Sequence, residues 1–150
     1  MGTKYQGTSE EIIALNTFIK LNRASQSVLQ RTRTVLDHYH LTEGQFSVLD
    51  ILYFIGALCQ ADIARKVLCT TGNMTMLLDN LENRQLIARK RDKADRRYML
   101  VSITQDGKDI IEDLMPKQVE LIKREMNILT ISEQQELSYL CKKLGRKQKE

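Results

Sequence analysis

Asn73, Thr75 and Met76, with Thr70 and Thr71 just ahead of them, open the stretch TTGNMTMLLDNLENRQLIARKRDKADRRYMLVSIT, residues 70–104, whose residue types suit a polyanionic partner. An Asn carboxamide can pair with an adenine edge through two hydrogen bonds, and a Met side chain can lie against a thymine methyl. Threonine hydroxyls at a helix start add to the backbone N–H groups that hold phosphates. Downstream, from Arg84 to Arg97, seven Lys/Arg stand against two Asp, a net +5, and the run closes on Asp95-Arg96-Arg97. A polar helix start beside a basic hairpin fits double-stranded DNA. The helix can enter the major groove while the hairpin reaches phosphates or the minor groove.

Other chemistries find little to work with. Cys59, Cys69 and Cys141 show no CxxC spacing and leave one over, which argues against structural disulfides and a zinc site. Cys69 sits at a turn, where a buried, inert thiol is expected. The only histidines, His38 and His40, form no metal set with neighbouring ligands and no Ser-His-Asp arrangement. The seven glycines are scattered singly, so there is no phosphate-cradling loop. The sequence therefore reads as a non-enzyme without cofactor or metal.

Composition agrees with an ordinary globular chain: 150 residues, 42% hydrophobic, 28% charged and net +4. No apolar run approaches the roughly eighteen residues of a membrane span, and no secretion signal is evident, so a cytoplasmic location is expected. The charge is unevenly spread. Residues 104–136 hold eight Asp/Glu against four Lys/Arg, opposite in sign to the 84–97 region.

The elements that must position these residues follow from periodicity. Met74, Leu77, Leu78 and Leu81 form one apolar helical face, leaving Asn73, Thr75, Met76 and Asn80 on the other. Leu86-Ile87-Ala88 and Tyr98–Ile103 read as strands, with Arg89–Arg97 as the basic loop between them. Upstream, Thr8 and Glu11 have capping-box spacing and begin a helix of about thirty residues, against an average of about a dozen. Its stripe, Ala14, Phe18, Leu21, Ser25, Val28, Thr32 and Val35, is too long for one small domain to bury and calls for a second chain. Thr42 and Gln45 cap a second helix that Gly56 ends, Leu58-Cys59 allows a short strand-like pairing, and Gln60–Val67 is a short helix leading into the 70–81 region. The last two helices form a helix-turn-helix.

After the hairpin, Thr104 can cap another long helix with Ile110, Ile111, Leu114, Gln118, Leu121, Ile122 and Ile128 on its inner side. Pro116 inside it removes a hydrogen bond and favours a kink, at roughly 3 kcal/mol without compensation. Ser132 and Gln135 have capping-box spacing for a final helix with Leu137, Leu140, Cys141 and Leu144 on one face, and a basic tail follows.

Element order and motif residues together resemble the MarR family of winged-helix transcription regulators, over about residues 41–145. Leu41-Thr42 with Gln45 and Leu49 resembles the entry to the family's second helix. Thr75 through Leu81-Glu82 resembles the recognition helix and its Leu-Glu ending. Asp95-Arg96-Arg97, ahead of Thr104-x-x-Gly107, resembles the wing signature. The resemblance implies a mainly α fold with a small β hairpin: one domain over residues 1–150, with a winged helix-turn-helix lobe at about 41–104 and dimerisation helices at about 8–40 and 105–145. It also implies a homodimer, a near-palindromic operator and repression relieved by a small phenolic or aromatic effector or by thiol oxidation. On that basis Thr70, Thr71, Asn73, Thr75 and Met76 would face the major groove. Arg97 would enter the minor groove, aimed by Asp95, with Arg96 near the backbone.

Two positions depart from the family pattern. Gln85 stands where members usually carry Gly, and the left-handed helix-ending conformation costs Gln about 1 kcal/mol. No Cys precedes Cys59, so peroxide sensing through a first-helix thiol is not expected. A ligand pocket near His38, with Phe46 and Tyr53 as walls, is a further expectation. The competing reading is a helical protein–protein module that docks its basic hairpin on an acidic partner; salt-sensitive duplex binding separates the two.

Overall fold

A computed structural model of the chain describes residues 2–67, 71–92 and 98–145. Its elements run α1 (Ser9–His38), α2 (Glu43–Ile55), β1 (Leu58–Cys59), α3 (Gln60–Val67), α4 (Thr71–Asn83), β2 (Ile87–Arg91), β3 (Met99–Ile103), α5 (Gln105–Met126) and α6 (Ile131–Gly145). They fall into two compact units, Arg33–Gln118 and the residues up to Thr32 together with those from Val119 onward.

In the Arg33–Gln118 unit, helix starts follow their expected caps. The Thr42 hydroxyl accepts from the Gln45 N–H at 3.2 Å, and the Gln45 side chain accepts the Thr42 N–H at 2.9 Å. Gly56 ends α2 with φ 98°, a conformation that favours glycine. The sheet is three-stranded and antiparallel in the order β1-β3-β2, with Leu58 opposite Val101 and Ile87 opposite Ile103. The expected Leu58-Cys59 pairing is thus present. The core gathers Leu36 and Leu41, Val48, Leu49 and Leu52, Ile63, then Met74, Leu78 and Leu81, closed by Ile87, Val101, Ile111 and Leu114, all buried.

The strand β2 differs from the sequence expectation. It begins at Ile87 and runs to Arg91, so Arg89, Lys90 and Arg91 are strand residues and not loop. Pairing of Arg89 with Val101 and Arg91 with Met99 extends the ladder, and basic side chains are well tolerated because β2 is an edge strand. Leu86 belongs instead to the end of α4. There the Leu86 N–H donates to the Leu81 carbonyl at 3.0 Å and the Gln85 N–H to the Glu82 carbonyl at 2.8 Å, with Gln85 at φ 59°. This is a Schellman ending formed without glycine, sealed by the buried pair Leu81 and Leu86. The same ending recurs at α1, where Leu41 donates to Leu36 and His40 to Asp37, both at 3.0 Å, with His40 at φ 52°.

In the other unit, Thr8 and Glu11 cap α1 reciprocally at 2.8 and 3.3 Å, as expected. Arg31 of α1 pairs with Glu125 of α5 at 2.5 Å. The cap of α6 is Thr130 with Glu133, not Ser132 with Gln135. The Glu133 N–H donates to the Thr130 hydroxyl at 3.3 Å while the Glu133 carboxylate accepts the Thr130 N–H at 2.7 Å. The backbone and hydroxyl of Thr130 hold the Glu133 carboxyl below its usual range. Ile128, expected on an inner face, lies beyond the end of α5 and is exposed. Large apolar side chains remain uncovered here: Ile13, Phe18 and Leu29 on α1, and Leu137, Leu140 and Leu144 on α6, a helix with no buried residue. No helix among the described residues is long and apolar enough to cross a membrane.

Candidate nucleic-acid interface

The chemistry anticipated for residues 70–104 rests on α4. Of its apolar face, Met74, Leu78 and Leu81 are fully buried and Leu77 is partly buried against the core. Asn73, Thr75 and Met76 are consequently exposed, Met76 by 67%. A helix so fixed by its apolar side can present the other only outward. Thr71 is the first residue of α4, its side chain outside the described set; Thr70, Cys69 and the wing residues Asp95, Arg96 and Arg97 lie outside the described residues altogether.

Polar ties among the described residues mount α4 on its surroundings. The Gln60 amide at the start of α3 donates to the Thr75 hydroxyl at 2.7 Å. The buried Gln45 of α2 donates to the Asn80 side-chain oxygen at 2.7 Å, so the residue that caps α2 also registers α4 against it. Arg89 of β2 reaches Asp79 at 2.5 Å and Glu82 at 3.5 Å, and its own N–H donates to Glu82 at 3.2 Å. Arg84 donates to the carbonyls of His40 and Tyr39 at 2.7 and 3.1 Å.

These ties revise the charge reading. Among the described cations of this run, Arg84 and Arg89 serve the protein itself, whereas Lys90 and Arg91 at the far end of β2 are exposed. The Asp92 N–H donates to the Tyr98 carbonyl at 2.9 Å, closing that end of the hairpin. Gln60, Arg84 and Arg89 were not singled out by sequence reasoning. For Arg89 a signal existed: Asp79 and Glu82, three residues apart, would repel phosphate beside a DNA-facing helix unless a cation covered them.

The expected pocket residues stand apart from the cleft at the start of α2. That cleft, of about 290 Å³, is lined by Arg33, Thr42, Glu43 and Gly44 and by none of the three. His38 is exposed, its ring edge-on to Tyr39 at 5.3 Å between centroids. Phe46 and Tyr53 are partly buried on α2 against the core. The Tyr53 hydroxyl donates to Glu112 at 3.0 Å, and that bond pushes its pKa up. Nearby on α5, the Asp113 carboxylate accepts from Lys117 at 2.8 Å and from the Tyr39 hydroxyl at 2.5 Å. Cys59 donates its S–H to Asp62 at 3.2 Å, and Cys141 is a free, exposed thiol.

Comparison with known proteins places this arrangement. Residues 41–99 match the profile of the MarR family. The chain is 34% identical over 126 residues to the uncharacterized HTH-type transcriptional regulator YwaE of Bacillus subtilis (strain 168), covering 78% of this chain and 74% of the relative. It is 29% identical over 132 residues to the HTH-type transcriptional regulator MhqR of the same organism, covering 88% and 91%. Among solved structures, Bordetella bronchiseptica BpsR, whose DNA binding is regulated by 6-hydroxynicotinic acid, superposes with a TM-score of 0.84 at 25% identity, over 97% of this chain and 100% of that one. The exposed polar side of α4, the basic edge strand beside it and these relatives agree: the chain belongs to the MarR family of winged-helix, DNA-binding transcriptional regulators.

Proposed function

We propose that this regulator is a cytoplasmic homodimeric repressor that reads a near-palindromic operator in double-stranded DNA and is released by a small aromatic or phenolic effector. The reading is carried by α4, whose Met74, Leu78 and Leu81 are buried in the core while Asn73, Thr75 and Met76 stand exposed. Those three, with Thr70 and Thr71 at the helix start, contact the major groove; Arg97 enters the minor groove, aimed by Asp95, with Arg96 at the backbone. Dimerisation is supported by the uncovered apolar residues of α1 and α6, which lie on the segments at about 8–40 and 105–145. An effector that carries a ring and a polar group is supported by BpsR, regulated by 6-hydroxynicotinic acid; His38, Phe46 and Tyr53 are the residues proposed to meet it. The deciding experiment is duplex binding across a salt series, with fragments selected from genomic DNA. Operator-selective binding whose logarithm falls steeply with log salt is expected. Equal binding to an acidic protein partner, without sequence preference on DNA, would replace this reading.

A further inference from the structure

Arg84 is the first cation of the basic run, and its position in sequence suggests a phosphate contact. Its geometry assigns it elsewhere. The half-buried side chain extends from the end of α4 to the end of α1, where Nη1 donates to the His40 carbonyl at 2.7 Å and Nη2 to the Tyr39 carbonyl at 3.1 Å. Those carbonyls belong to the left-handed turn that ends α1, with His40 at φ 52° and Leu41 folded back onto Leu36. A helix C-terminus carries partial negative charge and carbonyls without helical partners, so a guanidinium fork fits there in both charge and direction. Arg84 itself precedes Gln85, the left-handed residue of the α4 ending. One side chain thus joins two helix endings of the same type.

We infer that Arg84 is a positioning residue for operator recognition: it fixes the angle of α4 through the α1 ending and does not contribute a phosphate contact. This rests on the DNA-binding reading above. The apolar seat of α4 decides which face points inward, and the Arg84 fork adds directional bonds that tie its end to the α1 ending. Asn73 lies eleven residues from Arg84, about 16 Å along a helix that rises about 1.5 Å per residue. A tilt of about 4° about Arg84 therefore moves Asn73 by about 1 Å, twice the roughly 0.5 Å range of good hydrogen-bond distances. Selectivity for the operator should depend on Arg84 even though its charge is turned away from DNA.

The test compares wild type with Arg84→Met, which keeps an apolar stem and removes charge and donors, and with Arg84→Lys, which keeps the charge without the fork. Binding to operator and to unrelated duplex is measured across a salt series, and amide hydrogen exchange is followed in the DNA-free proteins. Positioning predicts that Arg84→Met lowers the operator-to-unrelated affinity ratio on the order of tenfold, the size of one mismatched base pair. It also predicts an unchanged salt slope, incomplete rescue by Lys, and faster exchange at His40 and Leu41. A slope flattened by about one with the ratio intact, restored by Lys, would make Arg84 a phosphate contact and overturn the inference. Unchanged exchange at His40 and Leu41 would overturn the link to α1 even if DNA binding fell. A wild-type protein with no salt-dependent duplex binding would instead fail the DNA reading, and the exchange measurement would still decide whether Arg84 holds the two endings together.

Discussion

A Cβ added to Gly107 would stand 2.3 Å from the carbonyl oxygen of Leu86. That carbonyl accepts the Thr104 N–H at 3.1 Å, the Thr104 hydroxyl donates to the Gln85 carbonyl at 2.7 Å, and the Gly107 N–H donates to the same hydroxyl at 3.1 Å. The first turn of α5 is therefore pressed onto the ending of α4, and backbone cannot retreat as a flexible side chain could. Gly107→Ala should destabilise the protein by about 1–3 kcal/mol, the usual range for overpacking, read as a lower urea midpoint at unchanged slope. Gly72→Ala, where no atom of the described residues lies within 4 Å of the added Cβ, serves as control.

How much of this was legible in the sequence depends on the range of the interaction. Caps such as Thr8 with Glu11 and Thr42 with Gln45 act within one turn, and their spacing alone specified them. The buried face of α4 was equally legible from its period. What could not be read were partners distant in sequence. Arg84 meets residues 44 and 45 positions away, and Gln45 meets Asn80 across 35. A run of Lys and Arg therefore looked uniformly basic although part of it is turned inward. The Gln85 ending shows the opposite lesson. A left-handed Gln costs about 1 kcal/mol, yet the two backbone bonds and the Leu81–Leu86 contact hold it in place. At α6, two overlapping cap patterns were present; Thr130 prevails because Glu133 accepts both its N–H and its hydroxyl.

Arg89 is held by Asp79 and Glu82, and its side chain is 21% exposed against 52% for Asp79. The carboxylates of these pairs are open and screened, but the guanidinium they hold is largely covered, so the pairs act on both stability and charge. The double variant Asp79→Asn, Glu82→Gln should lower the urea midpoint, because it strips a largely covered guanidinium of its charged partners. It should also strengthen binding to unrelated duplex and steepen its salt slope by up to about one, as Arg89 turns outward to meet phosphate. Fluorescence anisotropy over a salt series measures both; weaker non-specific binding would show that Arg89 is needed where it is.

Hydrogen bonds from Lys117 and then Tyr39 hold the Asp113 carboxyl below the usual carboxylate range, and the Asp113 bond raises Lys117. A lowered carboxyl pKa stabilises the fold above the unfolded value of about 3.9, and that contribution is lost as pH falls through the lower folded value. For Lys117 the contribution is full below about 10.4 and lost as pH rises through its raised value. Stability from this contact should thus be flat at neutral pH. The difference in urea midpoint between wild type and Asp113→Asn should shrink on acidification below about pH 4. A difference that grew in acid would contradict the assignment.

The proposed homodimer makes its own demand on α6. Leu137, Leu140 and Leu144 are 40%, 50% and 68% exposed, so replacing Leu137 or Leu140 by Asp removes nothing from a core of this chain. The monomer should keep its helicity by circular dichroism while the sedimentation coefficient falls and operator binding weakens. A wild-type monomer at micromolar concentration and physiological salt would rule out the dimer, and an Asp variant that stays dimeric would move the interface off α6.

Specificity is expected to divide between helix and wing. Asn73 and Thr75 are exposed on a helix whose opposite side packs into the core through Met74, Leu78 and Leu81, which suits base-edge contacts; an Asn–adenine pair discriminates by about 1–3 kcal/mol. Asn73→Ala should therefore relax preference at one or two operator positions and leave the salt slope alone. Arg97, proposed for the minor groove, reads width and potential and not a base-pair code. Arg97→Ala should weaken binding to all sequences, most in A·T-rich flanks, and flatten the salt slope by about one. Asp95→Ala should reproduce part of that loss by freeing the arginine it aims. Selection of operators from a randomised duplex pool by each variant, with affinities at several salt concentrations, separates the two roles. If Arg97→Ala left affinity and slope unchanged while Asn73→Ala abolished both, the helix alone would carry recognition and the wing would have no part in it.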